Sequence, residues 1–240
     1  MPDQNRWIIG HRGAPSLAPE NTLGGFRKAA ETGASWVELD VTLLADNTMV
    51  VNHDPTTDRC SNTQAVLAEL IRDQLKGIDN SALYPDWPYE PLPLLSEVFR
   101  LLNELNLSLN LELKDHGLPA ERVVSVLKLL LETEFNDNER LIISSFSREL
   151  LDECHRQIPE ARLGLLCESL PEDWQEYARH TNIYSIHSRW SDLSYNDARQ
   201  VKEKGYKLLC WTANQPELVE SLWMWGMDAI ITDNPQDYLK

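Results

Sequence analysis

The sequence predicts an α/β protein, a (β/α)8 barrel of the TIM type with one β-hairpin and a surface excursion after its third strand. Three observations predict it. Short apolar runs rich in β-branched residues alternate with stretches of helical spacing along the 240 residues, as a mainly parallel sheet with crossover helices requires. No glycine-rich dinucleotide turn follows the first run, which counts against an open, doubly wound sheet. Polar residues close many different strands, and a barrel collects its site from strand C-termini. The length suits one such unit, and 1–240 is read as a single domain.

The first strand, 7–11, is apolar and ends in Gly10-His11. A helix over 22–32 follows, with Asn21 or Thr22 as N-cap. Glu20, in the same turn, is a dipole partner or a hydrogen-bond acceptor. Strands 35–41 and 48–53 are joined through Ala45-Asp46-Asn47, too short for a crossover helix, so the pair is antiparallel. Nine strands are predicted for eight places, one of them surplus. Residues 54–93, rich in Pro, Asp and Asn with one weak helix near 66–75, form an excursion beside the site. Helices at 95–106, 119–133, 147–157, 171–180, 194–204 and 215–225 then alternate with strands at 107–113, 140–145, 162–167, 183–187, 207–212 and 228–232. Val123, Val126, Leu127, Leu130 and Leu131 show the 3.6-residue spacing most clearly. Trp223 and Trp225 in the last helix read as packing residues.

Twenty-two basic against 38 acidic residues leave a net charge of −16. Duplex DNA and anionic membranes are held by basic clusters, and none is present, so neither nucleic acid nor stable membrane association is expected. A small anionic ligand is compatible with this charge when a metal ion reverses the local field. No apolar stretch nears the roughly 18 residues that span a bilayer, and the N-terminus lacks the pattern of a signal peptide; a cytoplasmic location is expected. Cys60, Cys154, Cys167 and Cys210 have neither C-x-x-C nor zinc-ribbon spacing and read as reduced thiols.

If the hairpin turns about Asp46, paired residue numbers sum to 91 or 92, and Asp40 faces Val51 or Asn52. Glu38 then faces His53 or its neighbour. Alternation puts Glu38, Asp40 and Thr42 on one face, with Val37, Leu39 and Val41 on the other. Such carboxylates repel unless a cation lies between them; two unrelated ion bridges are the plainer alternative. Strict alternation over 107–114 places Ser108, Asn110, Glu112 and Lys114 on one face. An exposed edge strand would explain that equally well; in a barrel, the same face looks into the mouth or out to water. Three carboxylates are hard oxygen ligands suited to Mg2+ or Ca2+. His11 ends a strand beside Arg12, between Gly10 and Gly13, which permit close ligand approach.

Taken together, HRG at 11–13, PENT at 19–22, E-L-D at 38–40, HD at 53–54, L-E-L-K at 111–114, WT-x-N at 211–214 and TDNP at 232–235 resemble the glycerophosphodiester phosphodiesterase family. The match runs in order over essentially the whole chain. Residues 185–187 and the tail from Lys207 resemble its bacterial cytoplasmic branch. The chain departs from the family after HD, where Thr57, Arg59, Cys60 and Ser61 stand without the usual glycine.

The resemblance implies a (β/α)8 barrel that hydrolyses glycerophosphodiesters to sn-glycerol 3-phosphate and an alcohol. It implies one divalent ion, Mg2+ or Ca2+, on Glu38, Asp40 and Glu112, with His11 and His53 as the acid/base pair. Arg12 and Lys114 would contact phosphate, and Trp211 would line the glycerol pocket. None of the matched catalytic positions is Ser, Thr or Cys, so attack by the glycerol 2-hydroxyl, through a 1,2-cyclic phosphate, is the expected route. His187 and Asp233 receive no assigned role, capping or loop closure explaining Asp233 as well; His116, His155 and His180 read as solvated. The alternatives are a phospholipase D-like enzyme acting on lysophospholipids, a non-catalytic glycerophosphodiester-binding protein, and a metal-dependent lyase of sugar phosphates.

Overall fold

The computed structural model describes residues 6–239; residues 1–5 and 240, the ends of the expected 1–240 unit, lie outside the described residues. Among the described residues, nine strands follow in chain order: β1 (Trp7–Gly10), β2 (Trp36–Leu43), β3 (Met49–Val51), β4 (Ser108–Leu113), β5 (Leu141–Ser145), β6 (Leu163–Cys167), β7 (Ile183–Arg189), β8 (Lys207–Trp211) and β9 (Ala229–Thr232). All but β3 pair in parallel and close on themselves through β1–β2 and β1–β9. The surplus strand is therefore β3, antiparallel to β2 with Val41 opposite Val51 and Leu43 opposite Met49, a sum of 92.

The closure explains why β3 exists. Strand β1 has four residues and β2 has eight, so β1 covers only the lower half of β2, at Trp36 and Val37. After Gly10 the chain turns away through Arg12 and Gly13, with φ of 52° and 95°. A Cβ on Gly13 would meet the Gly25 carbonyl carbon at 2.7 Å. The upper edge of β2 would be left with unpaired backbone groups, and β3 pairs with it. That pairing carries His53 to the end of the barrel where β1 delivers His11.

Helices α1 (Leu23–Glu31), α2 (Leu95–Glu104), α3 (Ala120–Glu134), α4 (Arg148–Gln157), α5 (Trp174–His180), α6 (Tyr195–Glu203) and α7 (Pro216–Met224) flank the sheet, and a short α8 (Pro235–Tyr238) closes it. Their apolar faces bury Phe26, Phe99, Val124, Leu127 and Leu151 against the outward residues of the strands, among them Val37, Leu39, Val41 and Leu111. Each such side chain contributes about 1.5–3 kcal/mol; Leu111→Ala would cost about 2–5 kcal/mol with its cavity. Inside the barrel, Ile9, Trp36, Ile142, Leu209 and Ile231 make an apolar floor, where Trp7 stacks on Trp36 at 4.9 Å. Trp36 shares the inner face of β2 with Glu38 and Asp40, one layer lower, which accounts for a buried tryptophan on the carboxylate face.

Between Asn52 and Leu94 the chain makes the expected excursion, but not the expected helix over 66–75. Two 3-10 turns, Leu67–Glu69 and Arg72–Leu75, stand there instead, because Leu70 and Ile71 are extended, with ψ of 156° and 161°. A satellite cluster of Leu44, Val50, Leu67, Leu75, Ile78, Leu92 and Leu94 fastens the excursion to the hairpin.

Candidate active site

At the C-terminal ends of the strands, a cavity of about 110 Å³ is lined on one side by His11, Arg12, Glu38, His53, Glu112 and Lys114. Phe146, Leu166, Trp211 and Ile231 form the other, apolar side. All eight residues anticipated for the site lie in or beside this space, Asp40 directly under it. The exposed-edge alternative for Glu112 falls away: Asp40 stands opposite Glu112, and Glu38 opposite Asn110, in the β2–β4 register.

One oxygen from each of Glu38, Asp40 and Glu112 lies within 4.8 Å of the other two. Glu38 Oε1 and Asp40 Oδ1 are buried without a hydrogen-bond partner. Burial, then Asp40 and Glu112, raises Glu38 well above the ordinary carboxylate range. Burial, then Asp40, pushes Glu112 up to about 7 against the pull of Lys114. Asp40 is also buried, yet Arg12 and Lys114 outweigh that burial and lower it. Arg12 Nε lies 3.1 Å from Asp40 Oδ2, and Lys114 Nζ 2.6 Å from Glu112 Oε1. Two fixed cations do not suffice to keep all three carboxylates ionised, and an added cation would both relieve their repulsion and suit an anionic ligand. Hard oxygens, orphaned acceptors and unfavourable charge all fit a divalent cation.

Both histidines are oriented in the same way. His11 Nδ1 lies 2.6 Å from Asp233 Oδ1, and His53 Nδ1 lies 2.8 Å from Asp54 Oδ1. Burial would raise both aspartates, but hydrogen bonds lower them, from His11 to Asp233 and from His53 and Arg59 to Asp54. An ionised carboxylate only accepts, so each imidazole donates from Nδ1 and keeps Nε2 free. His11 Nε2 lies 3.9 Å from Glu38 Oε2. Burial lowers His53 below its ordinary value, Asp40 and Asp54 opposing and Arg12 and Lys114 assisting.

Several side chains have roles the sequence left open or concealed. Thr22 is the N-cap of α1, accepting from Gly25 N, whereas Asn21, at φ 54°, donates Nδ2 to Asp40 Oδ2. Glu20 is the acceptor, not a dipole partner: it takes Arg12 Nη1 at 2.9 Å and both terminal nitrogens of Arg59 at 2.8 Å. Arg59 also bonds Asp54, so one chain of contacts runs His53–Asp54–Arg59–Glu20–Arg12–Asp40 and ties the excursion to the mouth. Nothing local in the sequence marks Arg59 or Phe146, whose ring meets Trp211 edge-on at 5.5 Å. His116 is not solvated but half-buried, with Nδ1 3.0 Å from Thr42 Oγ1; His155 is half-buried too, and only His180 is exposed. His187 lies inside the barrel wall, fully buried, with Nε2 2.8 Å from Ser185 Oγ. Burial pushes it down to about 3. Its ring occupies the space beside Gly164, where a Cβ would lie 2.6 Å from Nε2. The His187 carbonyl in turn accepts the Trp211 indole N–H at 3.1 Å.

The sequence profile of the Glycerophosphoryl diester phosphodiesterase family matches residues 11–237. The chain belongs to that family. It is 33% identical to the glycerophosphodiester phosphodiesterase of Caldanaerobacter subterraneus subsp. tengcongensis, over 95% of this chain and 94% of that protein. Among solved structures, it resembles an Oleispira antarctica phosphodiesterase in complex with the product sn-glycerol-3-phosphate (TM-score 0.93, 29% identity, 97% and 95% of the two chains). A glycerophosphodiester phosphodiesterase from Parabacteroides distasonis is also similar (TM-score 0.82, 26% identity, 98% and 97%). Family membership makes the chain an enzyme.

Proposed function

We propose that the protein hydrolyses glycerophosphodiesters to sn-glycerol 3-phosphate and an alcohol, with Glu38, Asp40 and Glu112 holding one divalent ion, Mg2+ or Ca2+. The observation that carries this is the pairing of two carboxylate-held histidines across a pocket that contains the acidic triad, Arg12 and Lys114. When bound, the ion would neutralise phosphate charge and polarise the glycerol hydroxyl.

The remaining chemistry belongs to the chain's own residues. Arg12 and Lys114 hold the phosphate oxygens, and the Trp211 ring covers the glycerol carbons. His53, kept neutral by burial, takes the proton of the glycerol 2-hydroxyl through Nε2 as that oxygen attacks phosphorus. The bond from phosphorus to the alcohol oxygen breaks, and His11, entering with both ring nitrogens protonated, gives that oxygen its Nε2 proton. Water then opens the 1,2-cyclic phosphate: His11 takes the water proton, and His53 returns one to the 2-oxygen. Intramolecular attack gains an effective molarity of up to about 10⁵–10⁸ M, and each proton transfer contributes about 10²–10⁴ in rate. A cytoplasmic setting suits the four unpaired cysteines, Cys60, Cys154, Cys167 and Cys210.

Release of glycerol 3-phosphate from glycerophosphocholine, with and without chelator, tests the activity and its metal. A 2-deoxy analogue tests the route, because it presents the same phosphate without an internal nucleophile. Full activity after chelation would overturn the metal assignment, and cleavage of the analogue at the parent rate would replace internal attack with direct attack by water.

A further inference from the structure

A second hollow, of about 380 Å³, opens on the far side of His11 and Arg12. Those two side chains are the only residues it shares with the active-site cavity. Its remaining wall is Pro15, Ser16, Glu20, Asp233 and two asparagines. A phosphodiester carries two ester arms that leave phosphorus in different directions. With its phosphate at Arg12 and its glycerol against Trp211 and Phe146, the diester occupies the active-site cavity. The alcohol arm leaves phosphorus beside His11 and Arg12, the two side chains that border both spaces.

Resting on the function proposed above, we propose that this hollow is the subsite for the alcohol arm of the diester, and that it takes short polar alcohols, amino alcohols included. Pro15 is the only apolar residue in its wall, so a long acyl chain would find little to bury against. Asp233 is bound to His11 and Glu20 to Arg12, so the hollow offers no isolated charge to select one head group sharply. Ser16 stands at its exposed edge, its hydroxyl donating to the Asp233 carbonyl at 2.9 Å. A large side chain there fills the hollow without entering the barrel.

The experiment compares two diesters, glycerophosphoethanolamine and the methyl diester of glycerol 3-phosphate, whose alcohol arm is a single carbon. Ser16→Trp and the intermediate Ser16→Gln are assayed beside wild type, with melting temperatures to confirm folding. The expected result is a fall in the kcat/KM ratio, ethanolamine diester over methyl diester, of about tenfold or more for Ser16→Trp, arising in KM. Ser16→Gln should shift the ratio the same way by less. If both substrates fall by one factor in both variants, or neither falls, the hollow is not the subsite. If wild type turns over neither diester, the proposed function fails, and the subsite with it.

Discussion

Replacing Asp233 with asparagine should reverse the tautomer of His11 rather than merely weaken a contact. Asp233 Oδ1 faces His11 Nδ1 at 2.6 Å, and Oδ2 accepts Asn214 Nδ2 at 2.6 Å. Asn214 cannot flip to accommodate a change, because its Oδ1 already accepts Asp233 N at 2.8 Å and Thr232 Oγ1 at 3.2 Å. An asparagine at 233 therefore keeps its carbonyl toward Asn214 and turns its amide N–H toward His11 Nδ1. The ring must then accept at Nδ1 and carry its proton on Nε2, the nitrogen that faces the pocket. A hydrogen bond to a charged group contributes about 1.5–3 kcal/mol, so its loss should lower kcat roughly 10- to 150-fold. Steady-state kinetics give the rate, and 15N chemical shifts of the ring nitrogens give the tautomer. Adding Asn214→Ala frees the amide to rotate and present its carbonyl again, so the double variant should be faster than Asp233→Asn alone. The reasoning is refuted if Asp233→Asn keeps kcat within about threefold of wild type, or if the ring nitrogens show the tautomer unchanged.

Glu112→Gln should keep the fold and weaken divalent-ion affinity by about 100-fold or more, read by metal titration of the activity. Arg59→Met cuts the contact chain between His53 and Arg12; kcat/KM should fall about tenfold, and Arg59→Lys, which lacks the planar fork that grips Glu20, should restore only part of it. His187 is held at about 3 in the folded protein against an ordinary 6.5, so the unfolded chain binds a proton that the folded one refuses. Its contribution to stability is complete above pH 6.5 and is lost as pH falls toward 3, at up to about 1.4 kcal/mol per pH unit; urea unfolding at several pH values should show a shallower acid loss in His187→Gln. Glycerophosphocholine and glycerophosphoethanolamine should be hydrolysed within about tenfold of each other, and a hundredfold preference in kcat/KM would contradict the loose alcohol site.

Strand alternation made much of the site legible without coordinates. Side chains on a strand alternate faces whatever surrounds them, so Glu38 and Asp40 had to share a face, and Asn110, Glu112 and Lys114 another. A three-residue turn likewise required β3 to be antiparallel, and the observed sum of 92 is within the expected register. The helix expected over 66–75 failed for a related reason: its spacing of apolar residues is equally served by two short turns whose leucines pack on Leu44 and Val50, and spacing alone does not distinguish them.

What the sequence determined by itself is local: which residues share a strand face, which turns are too short to cross over, and which motifs stand in order. Closure of the barrel decided the rest. His11 and Asp233 are 222 positions apart and become neighbours only because β9 pairs with β1. Asp233 therefore read as a loop-closing residue, and His116 as a solvated one, when each has a partner supplied by a distant strand. Arg59 joins Glu20 across 39 residues, a contact that no periodicity encodes. Whether the carboxylate face of β2 met water or the barrel interior was likewise open until β1, β3 and β4 surrounded it, because alternation fixes relative faces and only the closed sheet defines which face is inside.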